Sequence, residues 1–367
     1  MTWRRLFRPA AVALAAQPIL SIVCGFLVAG LAVLASGADP IQAFSALFQG
    51  AFTNPRAFTE TIIATLPYIF LGLAVALGFK AGLFNIGAEG QFYLGAVFGV
   101  FIGYSLHGVP AILHIPLALL AGMLGGFVWA AIPGIIKART GAHEVIITIM
   151  LNYVAFQLTD FLINNRGPLA DKTSSAPRTP FIQHAAQLPI LIPGTRLHAG
   201  LFLALAAIPV VWFLLSRTTV GFQIRTVGMN ATAARAAGIS VGWTLVITMG
   251  ISGALAGLAG ADEVLGVSHF MPPSFSTGYG FDSIAVALLA KSNPWAILPA
   301  AFLFGAMRNG ATFMQLQTQV SADLISIVQA TVIIFIAAPA IIRWIFRLRH
   351  TPAAPVQLAK TDGGATI

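Results

Sequence analysis

Apolar runs of about twenty residues, separated by short polar interruptions, recur from one end of this chain to the other. That length is what a helix needs to cross the hydrocarbon core of a bilayer. Ten such segments are predicted, near residues 18–36, 60–79, 91–107, 111–135, 145–164, 198–215, 244–260, 281–291, 295–310 and 323–345. The eighth is short and begins in a glycine-rich context, which suggests a half-helix or re-entrant segment. The stretch 41–52 is amphipathic and is expected to lie along the outer interface. Only 8% of the 367 residues are charged while 57% are hydrophobic, against about 25% charged in an ordinary soluble domain. A water-soluble surface cannot be built from so few charges, and a disordered chain would be far more polar. The expected fold is all-α: a polytopic membrane helical bundle of about ten transmembrane helices, with broken or half-helices near 82–91 and 278–291.

The net charge of +9 is scattered along the chain, so it reads as membrane topology rather than as a nucleic-acid surface. With the N-terminus inside, fourteen of the twenty Lys and Arg fall on predicted cytoplasmic segments; Arg56, Arg166, Lys172, Arg178, Arg196 and Arg308 fall on the other side. This bias places both termini in the cytoplasm. Arg4, Arg5 and Arg8 precede an apolar run of spanning length, which reads as an uncleaved first helix. The organisation expected is a cytoplasmic N-terminus over 1–17, a membrane domain over 18–349 and a Pro/Ala/Gly-rich tail over 350–367 that is expected to be disordered. Within the membrane domain, an external loop covers about 165–196 and a cytoplasmic loop about 216–243. The single cysteine, Cys24, excludes an intramolecular disulfide.

Four stretches carry chemistry. Gly82 to Gln91 packs three glycines, Asn85, Glu89 and Gln91 between two apolar runs. Non-helical backbone at membrane depth survives only when buried in protein or lining a wet cavity, so these side chains either border a translocation path or belong to an ordinary cytoplasmic turn. In Gly141 to Tyr153, Glu144 suits the N-terminus of a helix, and Asn152 either lines a pore or joins two helices. The segment Arg225 to Ile239 is a small-residue helix flanked by arginines, with Gly228 and Gly238 as breakers; it suits docking into a partner's groove or lying on the membrane surface. In Gly278 to Leu289, Asp282 either caps the short helix or contacts a solute. Phe281, with Phe84, Phe92 and Tyr153, offers flat area for a planar ligand. The two glycine-spaced breaks resemble the paired interruptions of a transporter built from two related halves, on opposite faces of the membrane. No G-x-x-x-x-G-K-[ST] phosphate loop is present, nor a metal cluster, catalytic triad or dinucleotide fingerprint. No Asp/Glu/His chain runs through the spanning segments, which weakens a proton-relay mechanism.

The strings GLFNIGAEGQFYLGA (82–96), GAHEVIITIMLNYVA (141–155), TVGMNATAARAAGIS (226–240) and GYGFDSIAVALLA (278–290) resemble the inner-membrane permease subunits of bacterial ABC importers. They look most like the branch that serves nucleosides with a basic-membrane-protein-type lipoprotein receptor. The resemblance covers about 18–345, with the motifs in matching order. It implies a multi-pass protein of the bacterial inner membrane that is not itself an enzyme. Its implied partners are a second, usually non-identical permease subunit, a cytoplasmic ABC ATPase that carries the ATP and Mg, an extracytoplasmic substrate-binding lipoprotein, and membrane lipid, with no nucleic acid. No cofactor is expected on this chain. The resemblance assigns Arg225, Gly228, Asn230, Ala234 and Gly238 to ATPase coupling, and it implies a path near Asn85, Glu89, Gln91, Asn152, Tyr153, Phe281 and Asp282. Ribose-type permeases carry a different, Asp-Leu-Ser-like string at 85–91, which favours nucleosides. His143 departs from the more usual Asn. A permease for ribose or another simple sugar, or a standalone secondary transporter or channel, are the alternative readings.

Overall fold

A computed structural model describes residues 23–164, 167–276 and 278–318, with 326–327, 330–331 and 334 beyond them. The predicted 1–17 terminus, most of the tenth segment and the 350–367 tail lie outside the described residues. Among those described, regular structure is helical apart from one isolated bridge between Ile190 and His198. The helices are α1 (Val23–Ala35), α2 (Pro40–Phe52), α3 (Pro55–Lys80), α4 (Ala88–Ser105), α5 (Ala111–Thr140), α6 (Glu144–Ile163) and α7 (Gly200–Arg217). They continue with α8 (Thr219–Met229), α9 (Ala231–Ala236), α10 (Val241–Glu263), α11 (Tyr279–Leu289) and α12 (Pro294–Thr318). Among the described residues, five helices are long and apolar enough to cross a membrane: α3, α5, α6, α7, and α10 with its π-helical continuation to Ser268. The bent pair α1–α2, kinked by 119°, makes a sixth if it is one broken span. The molecule is thus a membrane-type helical bundle.

Local chemistry sets the helix ends. Asp39 caps α2 by accepting from the Ile41 amide at 2.8 Å, and Asn54 caps α3 by accepting from Ala57 at 2.7 Å; each is followed by a proline at the first helical position, where its missing N–H costs nothing. Helix α3 is apolar all round, and its run from Thr65 to Gly78 is buried. Such a helix belongs in the interior of a bundle. It packs against α10, α11 and α12, while α4, α5 and α10 form a second tightly packed group. Glycine permits that closeness. A methyl group at Gly126 would strike the Gly253 carbonyl, one at Gly257 the Gly122 carbonyl, and one at Gly95 the Gly257 backbone. These are small-residue contacts that substitute for hydrophobic driving force inside a bilayer.

Stretch 41–52 forms α2, with the two faces expected of it: Ala43, Ala46, Leu47, Gly50 and Ala51 are buried, packing with Ala311, Phe313 and Met314 of α12, while Ile41 and Phe48 are exposed. One border is corrected. The ninth segment runs beyond 310, because α12 continues unbroken to Thr318, with Arg308 well inside it. The long segment 167–199 is stitched to the end of α10 by backbone bonds from Thr179 to Met271, Ile182 to His269 and Leu188 to Leu265. In that segment the hydroxyl and amide of Thr173, and then Arg178, hold the Asp171 carboxyl below its ordinary range.

Candidate translocation site

After Lys80 the backbone leaves α3, turns at Gly82 (φ +73°) and enters the bundle before α4 starts at Ala88. Within this irregular stretch Leu83, Asn85 and Gly87 are buried while Gly82 and Phe84 are exposed, and the buried polar groups need partners. The Asn85 carboxamide supplies most of them. Its oxygen accepts from the Gly87 amide and from Gln91 Nε2, both at 3.0 Å. Its nitrogen donates to Gln91 Oε1 at 3.0 Å and to Ser252 Oγ at 2.9 Å, and Ser252 passes the chain on to the Ala74 carbonyl at 2.7 Å. Asn152, from the middle of α6, completes the bracing: its oxygen accepts from Gly90 N at 2.9 Å and its nitrogen donates to the Ile86 carbonyl at 3.0 Å. Asn85, Gln91 and Asn152 are at most 1% exposed, so as placed they brace the break and face no opening. Glu144, in the first turn of α6, pairs with Lys137 at 2.8 Å and accepts from the Phe84 amide at 3.4 Å.

The second break follows α10. The chain passes the π-helical turn, adopts positive φ at His269, Ser274 and Gly278, and re-enters a helix at Tyr279. Ser276 exchanges hydrogen bonds with the Tyr93 hydroxyl, which holds this stretch against α4. The two breaks meet. Glu89, buried in the first turn of α4, accepts a hydrogen bond from the Gly280 amide in the first turn of α11. One carboxylate thereby stands at the positive ends of two helices. A side chain at Gly280 would collide with the Glu89 backbone, so only glycine lets the helix starts come this close. The two breaks, expected on opposite faces, touch because each re-enters the bundle before its helix resumes.

Beside this junction Asp282 accepts from the Tyr68 hydroxyl at 2.8 Å, and Arg308 of α12 donates to the same hydroxyl at 3.1 Å. Arg308 and Asp282 are 3.6 Å apart. The guanidinium carbon lies 3.9 Å from the centroid of the Tyr279 ring, a cation–π geometry. Tyr68 and Phe92 pack on Tyr279, and Phe92 stacks on Phe275 at 5.3 Å. Tyr68 lies twelve residues from Lys80 and thirteen from Pro55, about 18 and 20 Å along α3 at 1.5 Å per residue. The cluster therefore sits midway through the bundle.

Of the residues expected here, Asn85, Glu89, Gln91 and Asn152 form one network, and Asp282 lies next to it. Phe281 is 43% exposed beside Asp282, whereas Tyr153 is 62% exposed and turned away from the Asn152 network, against Phe156. Sequence reasoning missed Tyr68, Ser252, Ser276, Tyr279 and Arg308. It also counted no ionisable chain in the bundle, although Asp282, Arg308 and Glu263 gather here. An arginine inside an apolar helical run was the available signal.

The loop between α7 and α10 forms two short helices instead of one. Asn230 ends α8 and caps α9, its side chain accepting from Ala233 N at 2.9 Å. The helix break is therefore at Asn230, and Gly228 lies within the last turn of α8. There Gly228 abuts the carbonyl of Lys80, where a side chain would clash, and faces Gly82. Ala234 is buried, Gly238 has φ +80°, Arg225 is half-buried, and Met229 is 87% exposed. Backbone contact thus runs from α8 directly to the start of the first break.

Apolar helices of this length, interrupted by two irregular stretches, fit a membrane transport protein. Residues 57–337 match the family described as "Branched-chain amino acid transport system / permease component", and the chain belongs to it, as a permease subunit of an ABC transporter. The chain is 40% identical to the guanosine ABC transporter permease protein of Bacillus subtilis, over 89% of this chain and 94% of that one. Identity to the nucleoside ABC transporter permease protein of Lactococcus lactis is 36%, over 89% and 91%. Identity to the glucose ABC transporter permease protein of Haloferax volcanii is 35%, over 87% and 86%.

Proposed function

We propose that this chain is the membrane subunit of an ATP-driven importer of nucleosides. The observation that carries the mechanism is the meeting of the two broken helices at Glu89 and Gly280, with the first break packed at its other end against α8. The nucleoside assignment rests on the guanosine and nucleoside permeases among the relatives. The protein spans the bacterial inner membrane about ten times with both termini in the cytoplasm, its membrane domain covering 18–349 between a short 1–17 terminus and a 350–367 tail. ATP and Mg are held by a separate ABC ATPase, which docks on Arg225, Gly228, Asn230, Ala234 and Gly238. A second, non-identical permease subunit completes the pore, and a lipoprotein receptor delivers solute to the 165–196 face. ATP binding pulls α8–α9; the shift reaches Gly82 and the 81–87 stretch, and it loosens the junction at which Asn85, Glu89, Gln91, Asn152, Phe281 and Asp282 border the path. The ATP-bound state must favour one conformation by a few kcal/mol for this to work. A simple-sugar cargo is the second reading, favoured by the glucose permease relative.

Uptake of radiolabelled guanosine, uridine and glucose by cells lacking and then regaining this gene tests the assignment, with ATP depletion and a proton uncoupler as separate arms and ATP levels checked in both. Nucleoside uptake that follows the gene and the ATP level is expected. Uptake that follows the proton gradient at constant ATP contradicts the ABC mechanism, and glucose uptake alone transfers the cargo to sugars.

A further inference from the structure

Resting on the importer reading, we infer that Arg308 and Asp282 are the side chains the cargo meets midway through this chain, at the foot of a wetted ladder of charges. The ladder begins in the 167–199 segment, where Arg196 Nε donates to Glu60 Oε1 at 3.1 Å. Glu263, at the end of α10, interacts electrostatically with both Arg196 and Arg308. Arg308 then reaches Asp282 and Tyr68 at the middle of α3. Side-chain exposure falls from 60% at Arg196 to 20% at Glu60, but it is still 22% at both Arg308 and Asp282. Ionised groups at that depth do not face hydrocarbon; they face a bundle interior or a water-filled cavity. On the importer reading, the partly exposed face beside Arg308 and Asp282 is the water-filled one of these two.

Its chemistry suits a particular class of solute. The guanidinium presents several N–H donors in a fixed fork, and the adjacent carboxylate presents only acceptors. Side by side they complement the alternating donors and acceptors of a nucleobase edge, or vicinal sugar hydroxyls. Phe281, 43% exposed next to Asp282, adds a flat apolar face. Each guanidinium along the ladder already has a carboxyl partner, Glu60 for Arg196 and Asp282 for Arg308, so a phosphate meets no cationic cluster. The class defined is an uncharged, flat, hydroxyl-bearing solute: a nucleoside and not a nucleotide. Arg308 also ties α3, α11 and α12 together through Tyr68, Tyr279 and Asp282, so the test must separate contact with cargo from structural support.

The experiment uses the complete transporter in proteoliposomes, in a Cys24→Ser background. A thiol introduced by Phe281→Cys, which leaves the Arg308 network untouched, is expected to react with a charged, membrane-impermeant thiosulfonate added on the receptor side. Reaction only with an apolar, membrane-soluble maleimide would place this face in lipid and overturn the inference. Arg308→Lys and Asp282→Asn are expected to lower the maximal rate of guanosine transport at least tenfold, with KM, set by the receptor, unchanged, ATP hydrolysis retained and the melting temperature of the purified complex at the wild-type value; a melting temperature that falls with the rate would assign the loss to structural support and overturn the inference. Wild-type transport rates in both variants would equally overturn it. If the wild-type complex moves no guanosine, the nucleoside reading fails by itself, while the thiol reaction still decides whether this face is wet.

Discussion

Asn85, Gln91 and Asn152 show how polar side chains let backbone leave a helix inside an apolar bundle. Together they satisfy the Gly87 and Gly90 amides, the Ile86 carbonyl and the Ser252 hydroxyl. Leaving a buried donor or acceptor unpaired costs about 1–3 kcal/mol. Asn152→Leu strands two such groups, so the purified variant is expected to melt several degrees below wild type in detergent; an unchanged melting temperature would show that the bracing is dispensable. Glu89 makes a sharper case. Glu89→Gln keeps an acceptor for the Gly280 amide but removes a negative charge from two helix starts, each worth about 0.3–1 kcal/mol. Its transport is expected to fall less than that of Glu89→Ala, and equal losses in the two variants would assign the whole effect to the charge. The polar content of 82–91 was readable in the sequence, whereas its partners were not. Ser252 and Gly280 are remote along the chain, and nothing in the sequence pairs them with Asn85 and Glu89. Asn152 was open between pore and glue, and the structure has it bonding α4. Tyr153 faces away because neighbours on a helix point about 100° apart.

Among the elements, the apolar runs at 60–79, 111–135, 145–164, 198–215 and 244–260 reappear as α3, α5, α6, α7 and α10. Their ends are marked by residues with a physical reason to be there, such as Asn54 at the start of α3 and Gly141, with φ +71°, after α5. Three elements were less legible. Helix α12 runs eight residues past the expected border at 310, and Asn309 inside it is satisfied by Gly50, Ala57 and Thr61. Helix α2 reads as interfacial because its partner face on α12 is invisible in a local pattern. The α8–α9 break moved from Gly228 to Asn230 because a capping side chain outweighs a glycine that packing holds inside a helix. The α5–α10 contact gives a test at this scale. Gly126→Val or Gly257→Val forces a side chain into a facing backbone carbonyl or glycine, so the yield of folded protein in the membrane fraction is expected to collapse. Gly242→Ala meets only Ala138 at ordinary contact distance, 3.4 Å, and is expected to be tolerated. Normal yields for both valine variants would contradict the packing.

At the scale of the whole molecule, the arrangement joins a surface loop to a central junction through one short stretch of irregular backbone. Residues 81–87 touch α8 at one end and lead into Glu89 at the other. Family membership makes this chain a transport component, and in the proposed mechanism a separate ATPase carries the hydrolysis. On the proposed mechanism the coupling depends on α8–α9 more than on any spanning helix. Asn230, which caps α9, and Gly238, whose φ of +80° suits glycine, are the positions whose substitution is expected to separate hydrolysis from uptake. The most direct measurement records ATP hydrolysis and nucleoside uptake on the same proteoliposomes, with the complete transporter and residues 230–238 scrambled. The account predicts that the ATPase partner still hydrolyses ATP while uptake is lost. Uptake at the wild-type rate with this segment scrambled would contradict it.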